Sequence, residues 1–308
     1  MCQDLAPVDS WLVKLDNIIG FVKGCFQPLP GYFIVPRIVF GKKTWSLRGA
    51  ISHRGVRFMK HECIGGRSSY IAYPGPAHFI SPIDSAEVLR EKCGSALCRA
   101  ALELLEHIVS ITDLVGVTGG LAYNPLGASD IDIVAYGPRI EEVYKALRDL
   151  RLDGITSPFT GRGHGWRDSD HILNSLIREQ RYLLGYYKGF EYNIRLIYCT
   201  KPARCNPIRL LGRVKLEAEV ISAIGFSTPS LYVLKPKRIY AGDEKIIGEI
   251  ARAQLLQMLT YRLRYAEIPV RTVILVEGEL ESHEEVPRIV PDHSGSVSII
   301  KTMAGYEH

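Results

Sequence analysis

A segment near the middle of the chain, residues 115–134, constrains the fold more than any other. A short apolar run is followed by Gly119 and Gly120, and a second apolar run then carries Asp130 and Asp132. Because alternate side chains of a β-strand share a face, the two aspartates are expected to point the same way. Neighbouring carboxylates repel each other unless a cation lies between them, and hard divalent cations take oxygen ligands. The segment therefore predicts strand, glycine turn, short helix and strand, with a candidate metal site.

The glycine turn is a second candidate feature of the same site. Glycines let the backbone approach a phosphate closely, and the start of a helix exposes N–H groups towards it. Gly119 and Gly120 are therefore candidates to bind a phosphate group. Two simpler interpretations stay open: a tight turn without a ligand, and an aspartate pair that only solvates the end of a strand.

This pattern of glycine turn, short helix and Ser-Asp-x-Asp strand resembles the polymerase-beta-like nucleotidyltransferase superfamily. More narrowly, it resembles an archaeal family of predicted nucleotidyltransferases. The likeness covers residues 113–137 and is looser around residues 261–262 and 276–281. It implies metal-dependent transfer of a nucleoside monophosphate from a nucleoside triphosphate, with Mg²⁺ (or Mn²⁺) as cofactor. The likeness implies that Asp130 and Asp132 are catalytic residues that bind the metal. It also implies that four residues contact the nucleotide: Gly119, Gly120, Ser129 and Arg195.

The sequence departs from the superfamily at two places. A serine usually stands where this chain has Gly120, so one hydroxyl donor is missing. The superfamily also takes a third carboxylate from a later strand, and the alternating run 190–198 offers Glu191, Asn193 and Arg195 on one face. Glu191 completes the catalytic and metal-binding set if the strand register places it beside the aspartates, whereas Asn193 there supplies a neutral ligand. Arg195 either competes with the metal for a carboxylate or grips a phosphate with its planar guanidinium.

Changes in composition and in the pattern of apolar residues along the chain predict an α+β protein with three modules. Residues 1–90 read as a β-rich N-terminal module, because short β-branched and aromatic runs alternate with proline and glycine. Residues 91–200 suit a nucleotidyltransferase-like core, a small mixed sheet with helices on one face and an exposed working face. Residues 201–308 predict a small α+β or barrel-like module. Ser169 or Asp170 is expected to start a helix reaching about Tyr187, and Asp243 one reaching about Arg262.

Charge and cysteine content limit the partners and the cellular compartment that the sequence suggests. The net charge of +5 permits contact with nucleic acid but does not require it, and Lys235, Lys237 and Arg238 form a basic cluster that also suits a solvated face. The seven cysteines lack a C-x-x-C pair and suit buried thiols, although the archaeal likeness admits intracellular disulfides. No signal peptide or membrane-spanning run is visible, so we expect a cytoplasmic protein without a membrane partner.

Two main functions remain open. In the first, the chain is an enzyme whose acceptor is RNA or DNA, a protein side chain or a small molecule. In the second, the altered turn and third-ligand strand have abolished turnover, and the protein binds nucleic acid or a protein partner. A structural module of a larger assembly is a weaker third interpretation.

Overall fold

The computed structural model of the chain describes residues 5–39, 41–43, 55–163 and 165–301. The chain is α+β, as predicted, with several sheets and a smaller number of helices. It divides into two compact units, the first formed by Met1–Ser157 and Leu183–Pro207 and the second by Pro158–Tyr182 and Ile208–His308. The predicted modules 1–90 and 91–200 thus fall largely together in the first unit.

The N-terminal part of the first unit is an antiparallel sheet, as its alternating aromatic and β-branched runs indicate. Its strands run in the order β6-β7-β4-β2-β1-β8, and β5 pairs with β4. The strands are β1 (Leu12–Leu15), β2 (Ile18–Val22), β4 (Tyr32–Val39), β5 (Lys42–Lys43), β6 (Val56–Lys60), β7 (Ser68–Ala72) and β8 (His78–Ile80), with a short β3 (Phe26–Gln27) outside this sheet. We call this the N-terminal sheet.

A second, mixed sheet of the first unit carries the aspartate pair. Its order is β11-β12-β13-β10-β9, with β10 parallel to β13 and antiparallel to β9. Its elements and neighbours are α1 (Pro82–Lys92), α2 (Ala96–Val109), β9 (Val115–Val117), α3 (Gly119–Tyr123), β10 (Ile131–Tyr136), α4 (Ile140–Leu152), β11 (Thr156–Pro158), β12 (Leu184–Tyr187) and β13 (Phe190–Ile197). We call it the central sheet. Helices α2 and α4 contact it, and their apolar residues Leu104, Leu105 and Val143 are fully buried.

The face of the central sheet that was expected to be exposed is partly covered. Val134, Tyr136 and Ile197 belong to one buried apolar cluster with residues of the N-terminal sheet, including Val13 and Ile34. The N-terminal sheet therefore packs over the far end of this face, and the end that carries the aspartates remains partly open. Burial of these large apolar side chains stabilises the pairing of the two sheets.

Disulfide bonds link distant segments of the first unit. Cys25 is bonded to Cys199 and Cys63 to Cys205, across sequence separations of 174 and 142 residues. Close to them, the two-residue strand β14 (Ala203–Arg204) runs parallel to β3. A third disulfide joins Cys93 to Cys98. The sequence had left open whether its cysteines are thiols or disulfides.

The second unit contains a closed barrel. Strand β15 pairs with both β16 and β18, which closes the circuit β15-β16-β17-β19-β18. Strand β20 pairs with the first half of β18, and β17 runs parallel to β19. The elements are α5 (Asp168–Ile177), β15 (Arg209–Ile224), β16 (Ser230–Ala241), α6 (Glu244–Ala253), β17 (Leu256–Thr260), β18 (Val273–His283), β19 (Val286–Val290) and β20 (Ser296–Lys301).

Two predicted helices end much earlier than expected. Helix α5 ends at Ile177, and the residues up to Tyr187 include strand β12, so the prediction of one long helix was wrong. Helix α6 starts after the expected cap Asp243 but ends at Ala253, before strand β17. Among the described residues, no helix is both long enough and apolar enough to cross a bilayer.

Candidate metal and nucleotide site

The parallel pairing of β10 with β13 brings the predicted acidic residues to one edge of the central sheet, where the two strands begin. We call this group of Asp130, Asp132 and Glu191 the acidic edge. Asp132 lies opposite Asn193, and Ile131 lies opposite Tyr192. Extending this register by one residue places Asp130 beside Glu191. Because side chains alternate between faces, these polar residues project from one face while Ile131 and Tyr192 are buried in the other. The carboxylates are partly exposed.

Asp130 is held by hydrogen bonds from both of its neighbours. The Nδ2 atom of Asn193 donates to Oδ2 of Asp130 at 3.1 Å, and the hydroxyl of Ser129 donates to Oδ1 at 3.0 Å. Ser129, predicted as a nucleotide contact, is therefore engaged with the aspartate in this structure. Of the two candidates for the third ligand, Asn193 donates a hydrogen bond to Asp130, and Glu191 lies beside Asp130 in the strand register.

Burial and repulsion by a neighbouring carboxylate raise the pKa values of two of the acidic groups. Burial, followed by the Asp130 charge, raises the pKa of Asp132 to about 7, although two arginines oppose the rise. Burial and the Asp130 charge also raise the pKa of Glu191. A cation among these groups would relieve both effects, because it favours the ionised carboxylates.

Asp130 and Asp132 are better suited to bind Mg²⁺ than the other candidate metal ligands among the described residues. Within the part of the chain that the structure describes, the one group of three candidate ligands that converges within 4.8 Å is His61, Cys63 and Cys205. Its two cysteines form a disulfide, so this group is unsuited to a hard cation. Mg²⁺ keeps several waters and commonly binds through one or two carboxylates, which Asp130 and Asp132 can supply.

The glycine turn lies directly against Asp132. The backbone N–H of Thr118 donates to the carbonyl oxygen of Asp132 at 2.9 Å. Gly119 has a φ of +59°, and a Cβ atom at this position would lie only 1.8 Å from Oδ2 of Asp132. Only glycine satisfies both conditions. At Gly120, a Cβ atom would meet that of Ala128 at 3.1 Å, so a serine there requires a small shift.

Arg195 connects the acidic edge with the interior of the first unit. Its charge lowers the pKa of Asp132 and that of Asp9, a residue only 2% exposed. Asp9 accepts a hydrogen bond from the Gly24 backbone N–H at 2.7 Å and lies 3.4 Å from Nζ of Lys23. Although burial alone would raise the pKa of Asp9, these partners lower it. The sequence offered no signal for Asp9, because its partners come from distant segments.

A cavity and the predicted basic cluster lie elsewhere on the described chain. A cavity lined by residues 109–114, Tyr136, Pro138 and Arg139 lies at the opposite end of β10 and contains no carboxylate pair within these lining residues. In the second unit, Nζ of Lys237 lies 3.0 Å from a carboxylate oxygen of Glu219. Part of the predicted basic cluster is therefore offset by acidic neighbours, which weakens its attraction for a polyanion.

Comparisons with known proteins leave the family open. No protein-family model matches the chain, and searches of curated proteins and of solved structures give no match.

Proposed function

We propose that the protein is a metal-dependent nucleotidyltransferase, which transfers a nucleoside monophosphate from a nucleoside triphosphate to an acceptor. The observation that carries the proposal is the acidic edge itself. Asp132 lies on β10 and Asp130 directly precedes this strand, Glu191 comes from the parallel strand β13, and Gly119 lies against Asp132. The glycine turn, β10 and β13 follow one another along the chain in the order that the superfamily likeness implies.

In this reaction an acceptor oxygen attacks the α-phosphorus, the bond from that phosphorus to the bridging oxygen breaks, and pyrophosphate leaves. Bound Mg²⁺ or Mn²⁺ supplies charge stabilisation for the attacking and leaving oxygens. Asp130 and Asp132 hold the cation, with Glu191 as a third acidic group. The turn at Gly119 and Gly120 lets the outer phosphates approach the backbone, and Arg195 offers a guanidinium to them. The cytoplasmic location and an RNA or DNA acceptor remain parts of this proposal.

One observation favours the alternative of a binding protein without turnover. Asn193 donates to Asp130 and lies opposite Asp132, so a neutral amide occupies a place that an acidic ligand would fill. A neutral ligand weakens cation binding, since it contributes no charge. The two functions therefore differ first in whether the acidic edge binds a divalent cation.

A test that needs no known acceptor is Mn²⁺ titration followed by electron paramagnetic resonance. We expect the wild-type protein to bind Mn²⁺ and Asp132→Ala to lose this binding, while Asp149→Ala, at an exposed position on α4, retains it. Incorporation of α-labelled nucleoside triphosphates into total RNA and into protein then tests turnover. If wild type neither binds Mn²⁺ nor releases pyrophosphate with any of the triphosphates, the enzyme proposal is wrong.

A further inference from the structure

A short turn between β6 and β7 presents a histidine and a cysteine close together. Residues Glu62–Ile64 form a single 3₁₀ turn capped by His61, whose Nδ1 accepts a hydrogen bond from the Cys63 backbone N–H at 3.2 Å. The N–H of Gly66 donates to the carbonyl oxygen of His61 at 3.0 Å, and the N–H of His61 donates to that of Arg67 at 3.0 Å. The turn itself therefore sets the positions of His61 and Cys63.

Cys205 reaches the same place from a distant part of the first unit. It directly follows β14, which runs parallel to β3. Its backbone N–H donates to the carbonyl oxygen of Gln27 at 3.0 Å, and the N–H of Ala203 donates to that of Cys25 at 3.0 Å. Because backbone hydrogen bonds hold each segment, Cys63 and Cys205 stay close together when the disulfide between them is opened.

Three potential metal ligands converge where these segments meet. A ring nitrogen of His61 and the sulfur atoms of Cys63 and Cys205 all lie within 4.8 Å of one another. The two cysteines pack in one apolar cluster with Phe33 and Ile71. The ring of Phe33 meets that of His61 edge-on at 5.5 Å, which orients the imidazole. Since His61 is partly exposed, one side of this group of ligands faces solvent.

Two thiolates and an imidazole form a ligand set that suits Zn²⁺. Zinc in proteins is usually tetrahedral, with bonds of about 2.3 Å to cysteine sulfur and about 2.0–2.1 Å to histidine nitrogen. Ligand atoms around such an ion are about 3.5–3.8 Å apart, which fits within this group. The side that faces solvent admits water as the fourth ligand. Thiolates select zinc and other soft ions over Mg²⁺, so this group is chemically distinct from the acidic edge.

We propose that His61, Cys63 and Cys205 form a zinc site when the Cys63–Cys205 disulfide is reduced. A dithiol reductant breaks the S–S bond by exchange, so that two electrons pass to the protein sulfurs and the reductant leaves as its own disulfide. Zn²⁺ then displaces the two thiol protons to solvent and forms two Zn–S bonds and one Zn–N bond. A disulfide oxidant reverses both steps and releases the ion.

In the reduced protein, zinc takes over the crosslink that the disulfide supplies in the oxidised protein. The disulfide joins the turn between β6 and β7 to the segment after β13, across a sequence separation of 142 residues. Thiols of most cytosolic proteins stay reduced, and a disulfide there is lost. A bound metal keeps the same two segments joined. The N-terminal sheet thus remains tied to the segment after β13 in either redox state.

The test measures Co²⁺ binding by the full chain, with Mg²⁺ in excess to compete at the acidic edge. Thiolate ligands give Co²⁺ a charge-transfer absorption in the near ultraviolet, and Zn²⁺ should abolish it by displacement. We expect this absorption in protein reduced with a dithiol and not in oxidised protein. His61→Ala should weaken Co²⁺ affinity by about a hundredfold or more, because even partners that only orient a metal ligand contribute about tenfold to a hundredfold. The matched control is His78→Ala, at an exposed histidine on β8, which should bind as wild type does.

Cysteine variants separate this site from the other thiol pairs. Cys205→Ser should lose the absorption, whereas Cys93→Ser, which removes a thiol of the third disulfide, should keep it. The inference is overturned if reduced wild type lacks the absorption, if His61→Ala binds as His78→Ala does, or if the two cysteine variants behave alike. It also fails if reduction unfolds the chain and Zn²⁺ does not restore the circular dichroism of the oxidised protein. None of these outcomes bears on Mn²⁺ binding at the acidic edge.

Discussion

Substitution of Gly119 by alanine tests the contact between the glycine turn and Asp132. The φ of +59° is unfavourable for any residue with a Cβ atom, at a cost of about 1–2 kcal/mol. The new methyl would lie 1.8 Å from Oδ2 of Asp132, so the carboxylate or the turn must move. Such overpacking costs about 1–3 kcal/mol. We expect the free energy of unfolding to fall by about 2–5 kcal/mol in total, measured by urea denaturation.

Gly120→Ala is the matched control, because it adds the same methyl at the next position. The nearest atom to that methyl is Cβ of Ala128 at 3.1 Å, and alanine improves helix propensity by up to about 1 kcal/mol. The free energy of unfolding should therefore stay within about 1 kcal/mol of wild type.

The same pair of variants tests the site. Displacement of the Asp132 carboxylate by Gly119→Ala should weaken Mn²⁺ binding by about tenfold or more, as when a group that orients a metal ligand is altered. Gly120→Ala should change this affinity much less. If Gly119→Ala and Gly120→Ala are equally stable and bind Mn²⁺ equally, Asp132 does not lie against the turn and the reasoning is refuted.

Two further predictions concern stability of the first unit. The lowered pKa of Asp9 stabilises the protein at neutral pH, and this contribution is lost as pH falls through that lowered pKa. Asp9→Asn should therefore cost roughly 2–4 kcal/mol at neutral pH, with the difference from wild type closing in acid; a pH-independent difference in urea denaturation would contradict this. Replacing Cys25 and Cys199, separated by 174 residues, with serine should cost roughly 3–5 kcal/mol in unfolding free energy. The same change at Cys93 and Cys98, separated by 5 residues, should cost much less, because a short loop loses little entropy on closure; equal effects would refute the loop argument.

Local patterns in the sequence predicted the elements of the acidic edge, and contacts between distant segments determined the rest. The alternation around Asp130 and Asp132 and the polar face of β13 need only neighbouring residues. By contrast, the register that places Asn193 opposite Asp132 depends on how two strands meet across some sixty residues of chain. The hydrogen bond from the Tyr136 hydroxyl to the carbonyl oxygen of Asp9 depends on packing of the N-terminal part of the chain against the central sheet, which has no local signature.

The overlong prediction for the helix after Ser169 has an identifiable physical cause. Tyr187 pairs with Phe190, so Lys188 and Gly189 form a two-residue hairpin loop, and both have positive φ values of 50° and 82°. Such loops join antiparallel strands, and a glycine at the second position is their usual signal. Reading this dipeptide as a hairpin turn, rather than as the end of a helix, would have identified strand β12.

The apolar cluster under the N-terminal sheet ties the aspartate-bearing face of the central sheet to the first eighty residues. Val134, Tyr136 and Ile197 are fully buried within that cluster. A fragment that starts after the N-terminal sheet would expose three large apolar side chains on the same face as the aspartates, which favours aggregation. The aspartate-bearing segment is therefore not independent of its surroundings, and transferring it to another scaffold requires a replacement cover for that face.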